Sequence, residues 1–592
     1  MTAPIPKLDI IQTNGALQTL PGEGVHAKIG VCSAGPLNTA VLIASLAALA
    51  AYGTGPVVEA TAHQLEVTGE PVLLTRCAAG VSGAIGAVVR SGPGSAGVNL
   101  TGVSSPTSTA VPTLSITGVL ARAYAVRVRV VGAGANLAAT PTVQYSLDGG
   151  LTWSTAATAV AGPTGLGDSG ISLAWADGSF VASDTWAGYA VAGLPIGGGL
   201  LAVTGSPLDA YQVSVRIVRP GASLASNVAT YRLSLDGGRT YGDEMAMPVN
   251  GVVTPTNTGL TLTFTNGGGG GGGGGGSAFS EGDLVEFRTS APSPTLSNLN
   301  AAWAGMIANN NDVEVVHIVG AVDSITATGI ASLANAALTS AKPRIVLLEA
   351  RDQGSGESEA AWMQSLNDDF ANFVSDRVGI VAGAAEVYLS AVGRYGRRRA
   401  GMVVAARAGL VAISEDLAWV ARGALPSVTA IYHDEEANPG LNAGRFITLR
   451  QHQGLPGYYI TNPLLMAAPD SDFQLLQYRR VWDRAFRVLR RVMLRYLSQD
   501  LALNPPGVQA PLFAGGLDEI DAGNIEDAAS DALNTALVQT TPRHATAITV
   551  AVNRTNDVLA TQELDVTFGI QPKGYAKKIT NRLGFINPAR ST

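Results

Sequence analysis

Two stretches of this sequence repeat one order of strand-like runs and turn residues. The first runs Tyr124-Ala-Val-Arg-Val-Arg-Val130, Ser146-Leu-Asp-Gly-Gly-Leu-Thr-Trp153, Gly170 to Trp175, and Asp184-Thr-Trp186. The second runs Tyr211-Gln-Val-Ser-Val-Arg-Ile217, Ser234-Leu-Asp-Gly-Gly-Arg-Thr-Tyr241, Gly259 to Phe264, and Asp283 to Phe287, about 87 residues later. Self-similarity at a fixed offset marks a duplicated structural unit. Within each copy, Val126, Val128 and Val130 or Val213, Val215 and Ile217 alternate with polar residues, the period of a half-buried strand. Residues 120–205 and 206–290 are therefore expected to be two copies of one small all-β module. The second copy is interrupted by ten glycines, Gly267 to Gly276. They read as a flexible loop joining two strands of one hairpin. No Lys-Ser/Thr pair and no helix follow, so they do not read as a phosphate-binding loop.

Around this block the pattern is different. A strand, Ala27 to Val31, leads to a helix expected from near Thr39 to the breaker Gly53-Thr-Gly-Pro56, and a further segment reaches Leu74. After Pro292, helices over 296–308, 326–338 and 357–374 alternate with the strands Val313 to Val319, Arg344 to Leu348 and Val378 to Val381. Such alternation predicts a parallel sheet flanked by helices. Further strands are expected near Val428 to Tyr432 and Phe446 to Leu449, and a long helix from Phe473 to about Leu501. The C-terminal part reads as a helix, Ile525 to Val538, and two antiparallel strands, Ala547 to Val552 and Leu559 to Phe568. The expected fold class is an α/β core, a mixed sheet flanked by helices, assembled from N- and C-terminal parts of the chain. A large all-β insertion containing two repeated modules divides it. The boundaries drawn are an N-terminal arm at 1–20, the first part of the core at 21–78 and a β-rich segment at 79–119. The two modules follow, then the α/β core at 291–503, a C-terminal α+β part at 504–574, and a C-terminal arm at 575–592.

Charge narrows the function classes. Only 14% of the 592 residues are charged, against a usual ~25%, and the net charge is −7. An acidic chain is a poor neutraliser of phosphates, so nucleic acid is not an expected partner. A weakly charged surface on a large protein points to extensive cover by partners. Cys32 and Cys77 are the only cysteines, which excludes a thiolate zinc cluster and a disulfide scaffold and fits two reduced thiols. The longest apolar run, Ala40 to Tyr52, falls short of the roughly 20 residues of a membrane span, and the start of the sequence shows no secretory pattern.

Catalytic groups do not assemble in the sequence. The six histidines have no helix-face metal spacing. His317 reads as a satisfied core histidine, and His433-Asp434-Glu435-Glu436 as a solvated turn. Gly132-Ala-Gly134 lacks the third glycine and the helix of a dinucleotide site. No enzyme activity, cofactor or metal is expected. Ser146, Asp148, Gly150 and Trp153, and again Ser234, Asp236, Gly238 and Tyr241, resemble the Asp-box of sialidase-type propellers. That motif is a hairpin cap: Asp accepts turn N–H groups, Gly supplies a left-handed residue, and the aromatic packs beneath. The alternative function is accordingly a carbohydrate-binding or sialidase-like β-rich surface protein. Arg397, Arg398 and Arg399 read as a patch at a helix start that meets an acidic protein neighbour. On the long helix, Trp482, Phe486, Leu489, Met493 and Leu497 form an apolar stripe. Arg480, Arg484, Arg487, Arg491 and Arg495 form a basic stripe on the other side, expected to face a neighbour or a tube.

The early strand–helix unit ending in Gly53-Thr-Gly-Pro-Val-Val-Glu-Ala60, the β insertion, the α/β core, the long helix and the C-terminal β unit together resemble contractile tail sheath proteins of bacteriophages and related injection systems. The resemblance is best over residues 22–75, 290–500 and 540–592, and only the Gly-Thr-Gly-Pro-x-x-Glu-Ala stretch is specific. It implies a virion tail protein assembled in the host cytoplasm. Copies of the chain would stack as six-fold rings around an inner tail tube protein, ended by baseplate and terminator proteins, without membrane insertion. The implied linking elements are the terminal arms, through Leu8, Asp9, Ile10 and Ile11 and through Leu583, Phe585 and Ile586, which would add strands to neighbouring copies. The family carries no catalytic residues.

Overall fold

The computed structural model describes residues 24–91, 101–103, 114–118, 124–147, 150–162, 164–166, 171–182, 184–190, 200–226, 228–266, 279, 281–309, 311–354, 356–507 and 514–581. The Leu8–Ile11 and Leu583–Ile586 runs, Asp148 and the ten glycines lie outside them.

Six strands form the central sheet: β1 (Val25–Val31), β2 (Ala40–Ile43), β3 (Val72–Cys77), β4 (Val313–Ala321), β5 (Ile345–Glu349) and β6 (Val378–Val381), in the order β2-β3-β1-β4-β5-β6. All neighbours are parallel except β2 against β3. β1 and β4, nearly 300 residues apart, lie side by side with Lys28 opposite His317. Chain from both ends of the sequence thus builds one mixed sheet. Its strands are near-continuous apolar runs because both faces are covered. Helices α1 (Pro56–Thr68) and α2 (Gly401–Leu410) cover one face, over a core that includes Val57, Val315, Leu347 and Val404. Helices α3 (Leu296–Ile307), α4 (Ser324–Thr339) and α5 (Glu359–Asp369) cover the other, over Ile29, Trp303, Ile330, Leu348 and Trp362. Each fully buried aliphatic side chain contributes roughly 1.5–3 kcal/mol.

The Gly-Thr-Gly-Pro turn has a clear physical basis. Gly55 sits at φ 146°, where a Cβ would stand 2.8 Å from the Val31 carbonyl oxygen and from the Cys32 Cα. Pro56 then opens α1 at its first position, where no N–H is needed. Before this turn the structure departs from the expected helix. Ala40–Ile43 is a strand paired with Val72 to Thr75, and the chain turns helical only from Leu46, after Ser45 accepts the Ala48 N–H. An apolar run at a sheet edge satisfies its backbone groups by pairing as well as by coiling, and periodicity does not separate the two.

Between β3 and α3 the described residues form four sheets. One has the strand order Thr101–Val103, Thr185–Ala190, Tyr124–Gly132, Thr142–Ser146, Ala157–Thr158, and shares a core of Val126, Val128, Trp175, Phe180 and Trp186 with the order Thr164–Gly165, Ile171–Trp175, Leu114–Gly118. The other pair has the orders Val89–Ser91, Leu284–Arg288, Gln212–Arg219, Thr230–Ser234, Met245–Ala246 and Val252–Val253, Leu260–Thr265, Leu200–Gly205 around Val213, Val215, Tyr231, Phe264 and Phe287. The strands flanking the glycine run, Leu260–Thr265 and Leu284–Arg288, belong to different sheets. The two flanking strands therefore do not form one hairpin; they belong to two sheets that share one core.

After β6 the chain forms the hairpin β7 (Ala384–Leu389) and β8 (Arg394–Arg399), with β9 (Val428–Ile431) on the other side of β7. Helix α6 covers Leu476–Met493, shorter at both ends than expected. It packs with α7 (Glu519–Leu533) and with a two-stranded antiparallel sheet, β10 (Ala545–Val552) and β11 (Val566–Pro572), around Val481, Ala485, Leu533 and Leu537. The expected second strand, 559–568, is displaced because Asp557 caps a helical turn, Val558–Thr561, in its first half.

Candidate assembly surface

Helix α6 is mounted opposite to the usual sense. Arg479, Arg480 and Arg487 point into the molecule, and Trp482 and Phe486 lie on the other side. Arg480 Nε lies 2.5 Å from Glu314 Oε1, both side chains buried. Arg487 Nε lies 2.9 Å from Asp312 Oδ1, and its Nη2 donates to the carbonyls of Val313 and Pro343. Asp483 meets Arg377 through two contacts of 3.1 Å, with neither side chain exposed at all. Arg479 reaches Asp376 at 2.9 Å. Burial pushes the Asp483 carboxyl up to about 6, against the pull of Arg377. Arg480 and Arg487 are thus internal ion-pair residues rather than the neighbour-facing ones expected. Their carboxylate partners come from the start of β4, where a shift of register between Val25 and His26 leaves Glu314 out of the ladder. The rest of the basic stripe is different: Arg484 is half-buried, and Arg491 and Arg495 are exposed.

The opposite face of α6 forms one wall of a groove of about 1000 Å³. Trp482, Phe486, Leu489 and Met493 line it from the helix, Leu497 from the turn that follows, and Phe568, Ile570 and Pro572 from β11. Trp482 stacks on Phe486 (centroids 5.4 Å, planes 22° apart), and Arg479 lies 4.5 Å from the Trp482 ring. Towards the end of the helix the wall opens to solvent: Leu494 is 50% and Leu497 72% exposed. Among the described residues, β10 and β11 pair only with each other, so each has an outer edge with no strand partner. An apolar groove beside open strand edges offers a peptide both side-chain burial and backbone hydrogen bonds.

The other sequence-selected residues fall elsewhere. Arg397, Arg398 and Arg399 lie on strand β8, which ends just before helix α2 begins at Gly401. Arg398 is buried between Glu59 and Asp209, Arg399 pairs with Asp352 at 3.1 Å, and Arg397 lies 4.0 Å over the Tyr432 ring. Strand pairing with Ala384 to Leu389 turns alternate arginines inward, where carboxylates meet them. In the first hairpin motif Ser146 Oγ accepts the Gly150 N–H, Gly150 sits at φ 101°, and Trp153 stacks against Arg129. In the second, Ser234 donates to Asp236 and accepts from the Gly238 N–H at φ 87°. Asp236 accepts from the Thr240 N–H and hydroxyl, and Ser214 and Tyr241 share a 3.0 Å hydrogen bond.

Two buried polar groups carry no clear sequence signal beyond a charge inside an apolar run. Lys28, His317 and Glu349 form a row across β1, β4 and β5, with Nζ–Nδ1 3.1 Å and Nε2–Oε1 2.9 Å. Burial lowers Lys28 to about 7, while Glu349 opposes the shift. His433 is not in a solvated turn: it is buried between Glu359 and Glu435, at 2.7 and 3.1 Å. Burial works against its charged form, but these two carboxylates hold its pKa above the usual value. Among the described residues, no group of His, Cys, Asp and Glu could hold a metal ion, and no helix is long and apolar enough to cross a membrane.

Family models place the chain. One described as DUF2586, N-terminal domain, matches residues 5–463, and one described as DUF2586, C-terminal domain, matches residues 472–590. The chain belongs to the DUF2586 family. No curated protein matches its sequence. Solved structures similar to it include contractile sheath proteins. A sheath tail protein from Listeria innocua, Lin1278, shares 11% identity over 93% of this chain and 92% of that one, with a TM-score of 0.40. A sheath tail protein from Desulfitobacterium hafniense, DSY3957, shares 12% over 95% and 100%, with a TM-score of 0.38. The PVC sheath of an extracellular contractile injection system, in its contracted state, shares 12% over 48% and 74%, with a TM-score of 0.35.

Proposed function

We propose that this chain is the structural subunit of a contractile tail sheath. Copies polymerise around an inner tube as stacked hexameric rings and contract to drive the tube through a bacterial envelope, with baseplate and terminator proteins at the two ends. The role is mechanical rather than enzymatic, in a virion tail assembled in the host cytoplasm. The observation that carries this reading is the α6–β11 groove beside open strand edges. Both ends of the sequence hold a short strand-like run, Leu8 to Ile11 and Leu583 to Ile586, with little apolar sequence around it to bury. Each run matches what the groove lacks, and donation between copies satisfies both. A head-to-tail contact of this kind propagates into rings and helices. Of the basic stripe, Arg495 is an exposed residue proposed to meet the tube or a neighbour. The two sandwiches are copies of one module carried outside the core, and their matching strand orders support this. The glycan-binding alternative is not favoured, since the second Asp-box turn packs against the core: Arg239 pairs with Glu386 at 2.6 Å.

Electron microscopy of the purified full-length protein tests the reading, with striated tubes or rings expected. Deleting residues 1–20 or 580–592 is expected to leave folded monomers that no longer polymerise. Long tubes from either truncation would refute arm donation.

A further inference from the structure

Strand β11 ends at Pro572, whose carbonyl accepts the Thr546 hydroxyl at 3.2 Å. Beyond it the chain does not leave the molecule at once. The Lys573 carbonyl accepts the Tyr478 hydroxyl of α6 at 3.1 Å. The Tyr575 ring lies 5.5 Å from the Tyr478 ring, and its hydroxyl donates to the Ser414 carbonyl at 2.6 Å. Lys577 pairs with Asp416. Alternate residues, 573, 575 and 577, thus meet the core, which is the period of an extended chain laid along a surface. Lys573 and Tyr575 are half-buried, while Gly574 and Ala576 are exposed.

The surface they meet is itself tied down. Ser414 is buried, and its hydroxyl oxygen lies 3.2 Å from the Arg543 carbonyl oxygen and 3.1 Å from His544 Nδ1, just before β10. Asp416 pairs with Lys577 through one carboxylate oxygen and accepts the Ala418 N–H at 2.9 Å with the other. The 414–416 loop is therefore held from the side of β10 as well as by the segment laid on it. Past Lys577 the alternation stops. Lys578, Ile579, Thr580 and Asn581 are all exposed, Ile579 to 75%.

We propose that Tyr575 and Lys577 clamp the root of the C-terminal arm to the 414–416 loop, so that the arm pivots after Lys577 and not at the end of β11. The inference rests on the arm-donation reading above and fixes its geometry. From Lys577 the six residues to Leu583 span at most ~20 Å, whereas the eleven from Pro572 would span ~37 Å. The clamp thus roughly halves the radius within which the Leu583–Ile586 run meets a neighbour. It also removes, before contact, conformational freedom that an unclamped arm would lose on docking. Of the two residues Tyr575 carries more, since an ion pair made by a part-exposed lysine is worth little. Both are positioning residues: neither needs to touch the neighbouring copy.

Limited trypsin digestion of the unassembled full-length protein locates the pivot, because Lys573 and Lys578 lie on either side of the clamp and cleavage follows local opening. The released peptides are read by mass spectrometry. Cleavage after Lys578 is expected to be roughly tenfold faster than after Lys573, or more. Tyr575→Ala is expected to bring the two rates together, and Lys577→Gln to move them the same way by less. If Tyr575→Ala does not fold, Tyr575→Phe, which removes only the hydroxyl, takes its place. Equal rates in the unmodified protein overturn the clamp, and so does a ratio left unchanged in the folded Tyr575 variant. These rates do not depend on assembly. Electron microscopy of the same Tyr575 variant, with the arm sequence intact, is expected to show tubes lost or shortened. Normal tubes from it overturn the positioning role, whereas tubes from a chain lacking 580–592 overturn arm donation itself.

Discussion

The two faces of α6 solve opposite problems. The inner face carries Arg480, Asp483 and Arg487, and every one of these charges has a partner within the chain. The outer face carries Trp482, Phe486 and Leu489, continued by Leu497 in the turn after the helix, and it opens into a groove. Ion pairs taken out of water are poor sources of net stability but strict about geometry. Apolar surface left in water is the reverse, indifferent to partner geometry and favourable to cover. One helix thus holds its own position by charge and offers a surface by hydrophobicity.

The largest effect is expected on the inner face. Asp483→Ala leaves the Arg377 guanidinium buried without its carboxylate, a defect that costs about 3–5 kcal/mol. A urea titration is expected to show a marked fall in the unfolding midpoint with little change in slope. A midpoint within experimental scatter of the unmodified protein would mean that the inner face does not hold the helix.

Leu497→Asp on the outer face is expected to do the opposite. Leu497 is 72% exposed, so the substitution should shift stability by no more than about 0.5 kcal/mol. On the sheath reading it puts a charge where a neighbour's strand must bury, and tubes seen by electron microscopy should be lost. Normal tubes would show that the groove is not where copies meet.

The sequence made the stripes on this helix legible but not their sense. Steps of three and four residues place Trp482 and Phe486 on one side and Arg480 and Arg487 on another, whatever the helix packs against. What decides the matter is Asp312 and Glu314, more than 160 positions earlier, and no local pattern links them to α6. The same limit explains Arg398, whose partners Glu59 and Asp209 come from two distant segments. The alternation of β4, β5 and β6 with helices was legible because a run buried on both faces is written in consecutive residues. The edge strand Ala40–Ile43 was not, because its apolar residues serve a ladder formed with Val72 to Thr75. The role of Lys28 escaped for a related reason: a single charge in a strand reads as an exposed position until the neighbouring strands are known.

Lys28 extends the comparison from α6 to the sheet, where the effect is read as a slope against pH. Its ammonium is fully buried beside His317, and burial lowers its pKa from 10.5 to about 7. Between those values the unfolded chain holds a proton that the folded chain has released, so stability rises with pH across this window and is level below it. Lys28→Met removes the titrating group, and its stability curve should be flat over the same range relative to the unmodified protein. The absolute stability moves less predictably, because Met also leaves His317 Nδ1 without its partner, at a cost of about 1–3 kcal/mol. The slope is therefore the discriminating measurement: chemical denaturation at about pH 7 and about pH 10 on both proteins. An equal rise in both would mean that Lys28 keeps its charge inside the sheet, and that His317 and Glu349 compensate it as fully as the carboxylates at the start of β4 compensate the arginines of α6.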